Sequence, residues 1–147
     1  MSFQAYTDGA VRIANPGLAS CAWVMYDTCK PEWKLEQSTF LGFPHSNNYA
    51  EYAGLIALLQ YLYEQRYRNV VIYSDSKLVV EQVNQKWEVN SDELRPLMSK
   101  AYGLLVQGCH VLKHIKGHDG NKGNERADEL CNAMLDMHKE EYEKTLA

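Results

Sequence analysis

Two short segments end apolar runs in the same way. "YTDGA" at Tyr6–Ala10 and "YSDSK" at Tyr73–Lys77 each place an aromatic, a small hydroxyl residue and an aspartate in a row. Alternate residues of a strand share a face, so each aspartate lies on the same side of its strand as the tyrosine two positions before it. If the two segments are parallel neighbours, the Asp8 and Asp75 carboxylates sit side by side, where like charges raise a pKa unless something positive intervenes. Taken alone, either aspartate also fits a turn or helix cap, Asp75 in particular because "SKLVVEQV" follows it. Glu51 bears on the choice, since positions 51, 55, 58 and 62 fall on one line of a helix, which puts a glutamate at the head of the stripe Leu55, Leu58, Leu62. A carboxylate aimed at a core is costly unless it is paired or holds a metal. Asp128 stands similarly above Cys131 and Leu135 on a second helical line; for both acids the alternative is a rim position that reaches water.

Three or four carboxylates converging without a cysteine among them are hard oxygen donors, suited to Mg²⁺ or Mn²⁺ rather than zinc. Two such ions about 4 Å apart can activate a water on one side of a phosphodiester and stabilise the leaving oxygen on the other, so hydrolysis of a phosphate backbone is the leading chemistry. The glycine-punctuated loop "KGHDGNKGNERAD" adds His118 ten residues before Asp128. A histidine there can move protons near neutral pH; the plain alternative is a solvated loop side chain. Cys109, His110, His114 and His118 also cluster within "CHVLKHIKGH", but no fourth ligand stands at the spacing a structural zinc site uses.

These residues need elements to hold them. Phe3 to Asp8 and Ala19 to Asp27 read as antiparallel strands joined through the turn Asn15-Pro16-Gly17, with Asp8 closing the first strand. Trp33 to Leu41 alternates as a third strand. "NNYAEYAGLIALLQYLYEQ" is helical, with Asn47 or Asn48 placed to cap it, and Asn69 to Ser74 reads as a strand covered on both faces. Helices are expected over Lys77 to about Lys86, about Asp92 to Val106, and Glu125 to about Tyr142, with a fifth strand at Val111 to Ile115. A meander followed by crossovers gives an α/β fold: a mixed five-stranded sheet, its second strand antiparallel, with helices on both faces.

Composition sets limits on this reading. The 147 residues are 46% hydrophobic, the size of one ordinary domain, and the formal charge of −4 gives no overall positive field for nucleic acid or a membrane surface. The four cysteines include no CxxC pair, and no apolar run approaches the roughly 20 residues of a membrane span. A single soluble domain spanning residues 1–147, in a reducing cytoplasmic setting, is the expectation.

The order "YTDGA", "NPG", "NNYAEYAGL", "YSDSKLVVEQV", "KGHDGNKGNERADEL" strongly resembles type 1 ribonuclease H over nearly the whole chain. Each motif alone is weak; five in this order and spacing are specific. The resemblance implies endonucleolytic cleavage of the RNA strand of RNA/DNA hybrids with two Mg²⁺ ions, Mn²⁺ being a substitute, leaving 5'-phosphate and 3'-hydroxyl ends. It implies Asp8, Glu51, Asp75 and Asp128 as metal ligands and His118 as the residue that assists proton transfer and product release. It also implies substrate contacts from Asn15, Ser46, Asn47 and Asn48, with Lys77 as a possible phosphate contact where the family often has glutamine.

The loop between Asp8 and Asn15 is one residue longer than the bacterial pattern. In place of the basic, tryptophan-bearing helical handle of some members stands "QKWEVNSDELRP", with Glu88, Asp92 and Glu93, so the chain resembles the compact archaeal, phage and retroviral forms. Phosphate contacts supply much of hybrid affinity; with few candidate cations, weak binding is expected from the monomer, or delivery of the hybrid by a partner such as a polymerase or replication protein. Two readings compete: another nuclease of the same fold, such as a resolvase or exonuclease, and a catalytically silent hybrid-binding module. Clustered negative charge gives a mere binder of polyanions nothing.

Overall fold

The computed structural model describes residues 2–117 and 119–146, and it describes Pro31, Tyr142, Thr145 and Leu146 without their side chains. Three strands come first: β1 (Phe3–Arg12), β2 (Gly17–Asp27) and β3 (Lys30–His45). Then follow α1 (Asn47–Glu64), β4 (Val71–Ser74), α2 (Lys77–Val83), α3 (Leu94–Gln107), β5 (Val111–His114) and α4 (Lys122–Leu146). The sheet order is β3-β2-β1-β4-β5. β2 is antiparallel to both neighbours, whereas β1, β4 and β5 run parallel. This is the mixed sheet expected from a meander followed by helical crossovers.

Strand alternation divides β1 and β2 between two helical layers. Ala5, Trp23 and Met25 point into the main core, where α1 delivers Leu55, Leu58, Leu59 and Leu62; each such leucine contributes about 1.5–3 kcal/mol by leaving water. The opposite face meets α4, where the Ser20 hydroxyl donates to the Cys131 carbonyl at 2.8 Å. Tyr6 and Tyr73 stack on that face with ring centroids 5.1 Å apart, serving as packing beneath the strand ends. Among the described residues no helix is long and apolar enough to cross a membrane.

Several element ends differ from the sequence expectation. β1 runs past Asp8 to Arg12, because Gly9 to Arg12 continue to pair with β2 after the parallel ladder with β4 has ended at Thr7 opposite Ser74. Asp8 therefore lies one residue past the parallel ladder and within the strand. β3 likewise extends at both ends, from Lys30 to His45. The cap of α1 is neither Asn47 nor Asn48 but Ser46, whose extended backbone lets its hydroxyl accept from the Tyr49 amide at 3.1 Å. Ser76, not Asp75, caps α2 by accepting from Val79. That helix stops at Val83, short of Lys86, and Gln85 just beyond it takes a left-handed φ of 66°. α3 begins two residues later than expected, with Ser91 accepting from the Leu94 amide. α4 begins three residues earlier, because the Asn121 side chain accepts from the Asn124 amide and supports an extra turn.

Candidate active site

The last pair of the β1–β4 ladder, Thr7 opposite Ser74, fixes Asp8 and Asp75 as neighbours one step further along. Glu51 arrives from α1, and this approach depends on glycine. A Cβ on Gly9 would lie 2.3 Å from the Ala50 carbonyl carbon and 2.4 Å from the Glu51 nitrogen, while one on Gly54 would lie 2.6 Å from the Asp8 carbonyl oxygen. With no side chain at either position, the first turns of α1 rest directly on β1. One oxygen each from Asp8, Glu51 and Asp75 then lie within 4.8 Å of one another. The Gly9 amide donates to Asp8 Oδ1 at 2.9 Å and also to Glu51 Oε1.

Asp8 and Glu51 are almost completely buried, and Asp75 is partly so. Among the described residues no lysine, arginine or histidine forms an ion pair with any of the three. The electrostatic result is a pair of reluctant acids. Burial, then the charge of Asp75, pushes the Asp8 carboxyl up to about 7, with Asp128 adding to the rise. Glu51 is raised well above the ordinary carboxylate range, first by burial and then by Asp8 and Asp75. Asp128 stands outside the 4.8 Å triad on α4, half-buried, yet near enough for its charge to reach Asp8. Below the cluster, burial raises the Cys131 thiol too, pushes Cys21 up to about 12, and leaves both as inert packing groups.

Asn124 is a site residue that the sequence reading missed. It is buried, and its side-chain amide donates to Asp75 Oδ2 at 3.3 Å. Its spacing was the available signal: Asn124 lies one helical turn before Asp128 and so shares that residue's face of α4. Gly117 also closes on Asp75, since a Cβ there would lie 3.0 Å from Oδ2. His118, the next residue, lies outside the described residues.

Of the expected substrate contacts, Asn15, Ser46 and Asn47 come together: Asn15 Oδ1 accepts from the Asn47 amide at 3.0 Å, and Ser46 precedes it as the cap. Asn48 follows on the first turn of α1, partly buried. Lys77 stands over the Trp87 ring at 5.9 Å, in a second surface patch formed at the start of α2. The zinc alternative fails among the described residues. The buried His110 uses Nδ1 to accept from the Val70 amide, Cys109 Sγ accepts from Arg68, and His114 contacts the Asp75 carbonyl.

The donor set that remains is all oxygen and, among the described residues, has no cation paired to it, which suits a hard divalent cation. A family model for RNase H matches residues 2–135, which takes in every one of these acids. The chain belongs to the ribonuclease H family. Ribonuclease H of Francisella philomiragia is 32% identical over 144 residues, covering 89% of each chain. Among solved structures, ribonuclease H1 of the halophilic archaeon Halobacterium salinarum superposes with a TM-score of 0.81 at 33% identity, over 92% of this chain and 98% of that one. LC11-RNase H1, solved in complex with an RNA/DNA hybrid, gives 0.76 at 30% identity over 90% and 95%. The ribonuclease H fold therefore accounts for the sheet and for the helices packed on it. α4 of this ribonuclease H continues past the matched region, from Asp136 to Leu146.

Proposed function

We propose that this ribonuclease H is an endonuclease that hydrolyses the RNA strand of RNA/DNA hybrids, leaving 5'-phosphate and 3'-hydroxyl ends. The observation that carries the proposal is the buried, uncompensated triad of Asp8, Glu51 and Asp75, with Asp128 facing it. The reading assigns these four carboxylates to two Mg²⁺ ions, with Mn²⁺ as a substitute. Such ions, when bound, supply a water of lowered pKa and charge stabilisation for the leaving oxygen.

The chain's own residues do the rest. Burial biases the Asp8 and Glu51 carboxyls towards their protonated forms, so binding of a metal is coupled to deprotonation of the site. Asn124 orients Asp75 through Oδ2, as an outer partner of a ligand does. His118 is assigned to proton transfer and product release. Asn15, Ser46, Asn47 and Asn48 are assigned to sugar and phosphate, where the 2'-hydroxyl separates RNA from DNA. Lys77, on its tryptophan platform, is assigned to a more distant phosphate. With one monomeric catalytic domain over residues 1–147, and so few cations along this track, delivery of the hybrid by a polymerase or replication protein fits the charge balance.

Asp75→Asn tests the site. Assayed with Mg²⁺ and Mn²⁺ on a labelled hybrid, it should abolish cleavage while hybrid binding is retained or improved, since one repulsive charge is gone. Near-normal turnover would overturn the assignment. Parallel assays of the wild-type protein on duplex RNA, duplex DNA and a four-way junction separate it from a resolvase or exonuclease; a preference for any of these over the hybrid would refute the substrate.

A further inference from the structure

Asp8 and Arg12 lie on the same face of β1, four residues apart, and Asp128 and Asn132 lie on the same face of α4, one turn apart. The two pairs meet. Arg12 Nη2 donates to Asn132 Oδ1 at 2.8 Å and to the Asn132 carbonyl at 3.3 Å, while Nη1 pairs with Asp136. Asn132 in turn donates from Nδ2 to the carbonyl of Asp128 at 3.0 Å. A single guanidinium on the strand of one proposed ligand therefore holds the helical turn that carries another. Guanidinium forks hold their partners in a fixed plane and spacing, which a lone lysine ammonium does not.

The connection matters because Asp128 is the one acid that stands outside the tight triad. The other three are fixed by short-range features: the β1–β4 ladder for Asp8 and Asp75, and the bare glycine contact for Glu51. Asp128 is placed by its helix, which Gly123 seats against Tyr6 and which the Ser20 hydroxyl holds at the Cys131 carbonyl. Its separation from Asp8 depends on how α4 lies across β1, and the described polar ties between these two elements all run through Arg12.

We propose that Arg12 is a positioning residue that sets the Asp8–Asp128 spacing and, through it, the affinity of the site for its more weakly held divalent cation. This rests on the assignment of Asp128 as a ligand in the proposed function. An ordinary helix-to-sheet tie would contribute only stability, so the test separates the two effects. Mn²⁺ binding to the free, substrate-less protein is measured by calorimetry beside thermal melting in EDTA. Arg12→Ala should weaken the lower-affinity Mn²⁺ step about tenfold, the scale of outer-sphere changes at metal sites. Arg12→Lys should recover part of the loss. Asp136→Asn, which disturbs the ion pair but leaves the Asn132 contact, should bind Mn²⁺ as the wild type does. Asn132→Ala should reproduce Arg12→Ala, and the double variant should be no worse than either single one.

If Arg12→Ala and Asn132→Ala lower the melting midpoint but bind Mn²⁺ like the wild type, the positioning role is wrong while the ligand assignment stands. Should Arg12→Ala fail to fold, Asn132→Ala decides on the same criterion. A wild-type protein that binds no Mn²⁺ overturns both readings together.

Discussion

The substitution Asp8→Asn should stabilise this protein when metal is absent, and the size of the effect follows from the cluster. The Asp8 carboxyl titrates near pH 7 in the fold against 3.8 ordinarily, driven by burial and by Asp75. Between about pH 4 and 7 the native state therefore holds a proton that the unfolded chain has released. Stability falls as pH rises through that window and is flat above it. Roughly three units at about 1.4 kcal/mol each amount to ~4 kcal/mol of destabilisation above pH 7. With about 2.1 cal/mol/K of unfolding entropy per residue, that corresponds to a midpoint shift on the order of 10 °C for a chain of this length. An asparagine keeps the shape, carries no charge and can donate to Glu51. In EDTA at pH 8 the variant should melt higher than the wild type by up to this amount, and the gap should close towards pH 4. Millimolar Mg²⁺ should raise the wild-type midpoint at pH 8 more than that of the variant. A variant no more stable than wild type at pH 8, or a gap that does not change with pH, would refute the claim that the triad is electrostatically strained.

Four further outcomes follow from the same contacts. Mg²⁺ affinity measured by calorimetry should rise from pH 5.5 to 8 with release of protons to the buffer, because the proposed ligands Asp8 and Glu51 have raised pKa values and must lose their protons to bind metal. Asn124→Ala, which frees Asp75 Oδ2, should weaken apparent Mg²⁺ affinity about 10- to 100-fold in cleavage titrations, with turnover largely recovered at saturating metal. Gly9→Ala forces a methyl against the Ala50 backbone and should cost about 1–3 kcal/mol or more in urea unfolding, together with activity. Tyr52→Phe strips the 2.7 Å hydrogen bond from the buried Gln82 Oε1 and should cost about 1–3 kcal/mol without changing kcat.

The sequence carried the mixed five-stranded sheet with its antiparallel second strand and, on the condition that the two aspartate strands are parallel neighbours, the convergence of Asp8, Glu51 and Asp75, because strand and helix periods decide which side each faces. It was poorest at element ends, where one hydrogen bond decides: Ser46 and Ser76 outcompete the neighbouring asparagines and aspartate as caps. It also treated Asp8 as a strand terminus. Pairing with β2 continues after pairing with β4 stops, and no local pattern reveals that a strand has two partners of different length. Asn124 escaped notice for a related reason: its value lies in a contact with Asp75, 49 residues earlier, which the helical face suggests only once α4 is known to begin before it.

That asymmetry in β1 has a mechanical consequence. Beyond Thr7 the strand is held on one side by β2 and open on the other, so Asp8 projects from the rigid half of a notch at the carboxyl end of the parallel strands. Clefts at such points, where strand order changes direction, are the usual ligand sites of open α/β sheets. Within the notch the acids differ in what fixes them. Asp8 rides on a strand hydrogen-bonded on both flanks of its position along β2, and Asp75 sits just past the last rung of β4. Glu51 depends on the bare contact of Gly9 and Gly54, and Asp128 on the lie of a helix that Arg12 ties down. Repulsion among four carboxylates would relax most easily by moving the one that already stands outside the triad, which is Asp128. The spacing of the site is therefore rigid at the triad and adjustable at its fourth member, and variation in metal affinity among substitutions outside the triad should follow α4 rather than the sheet.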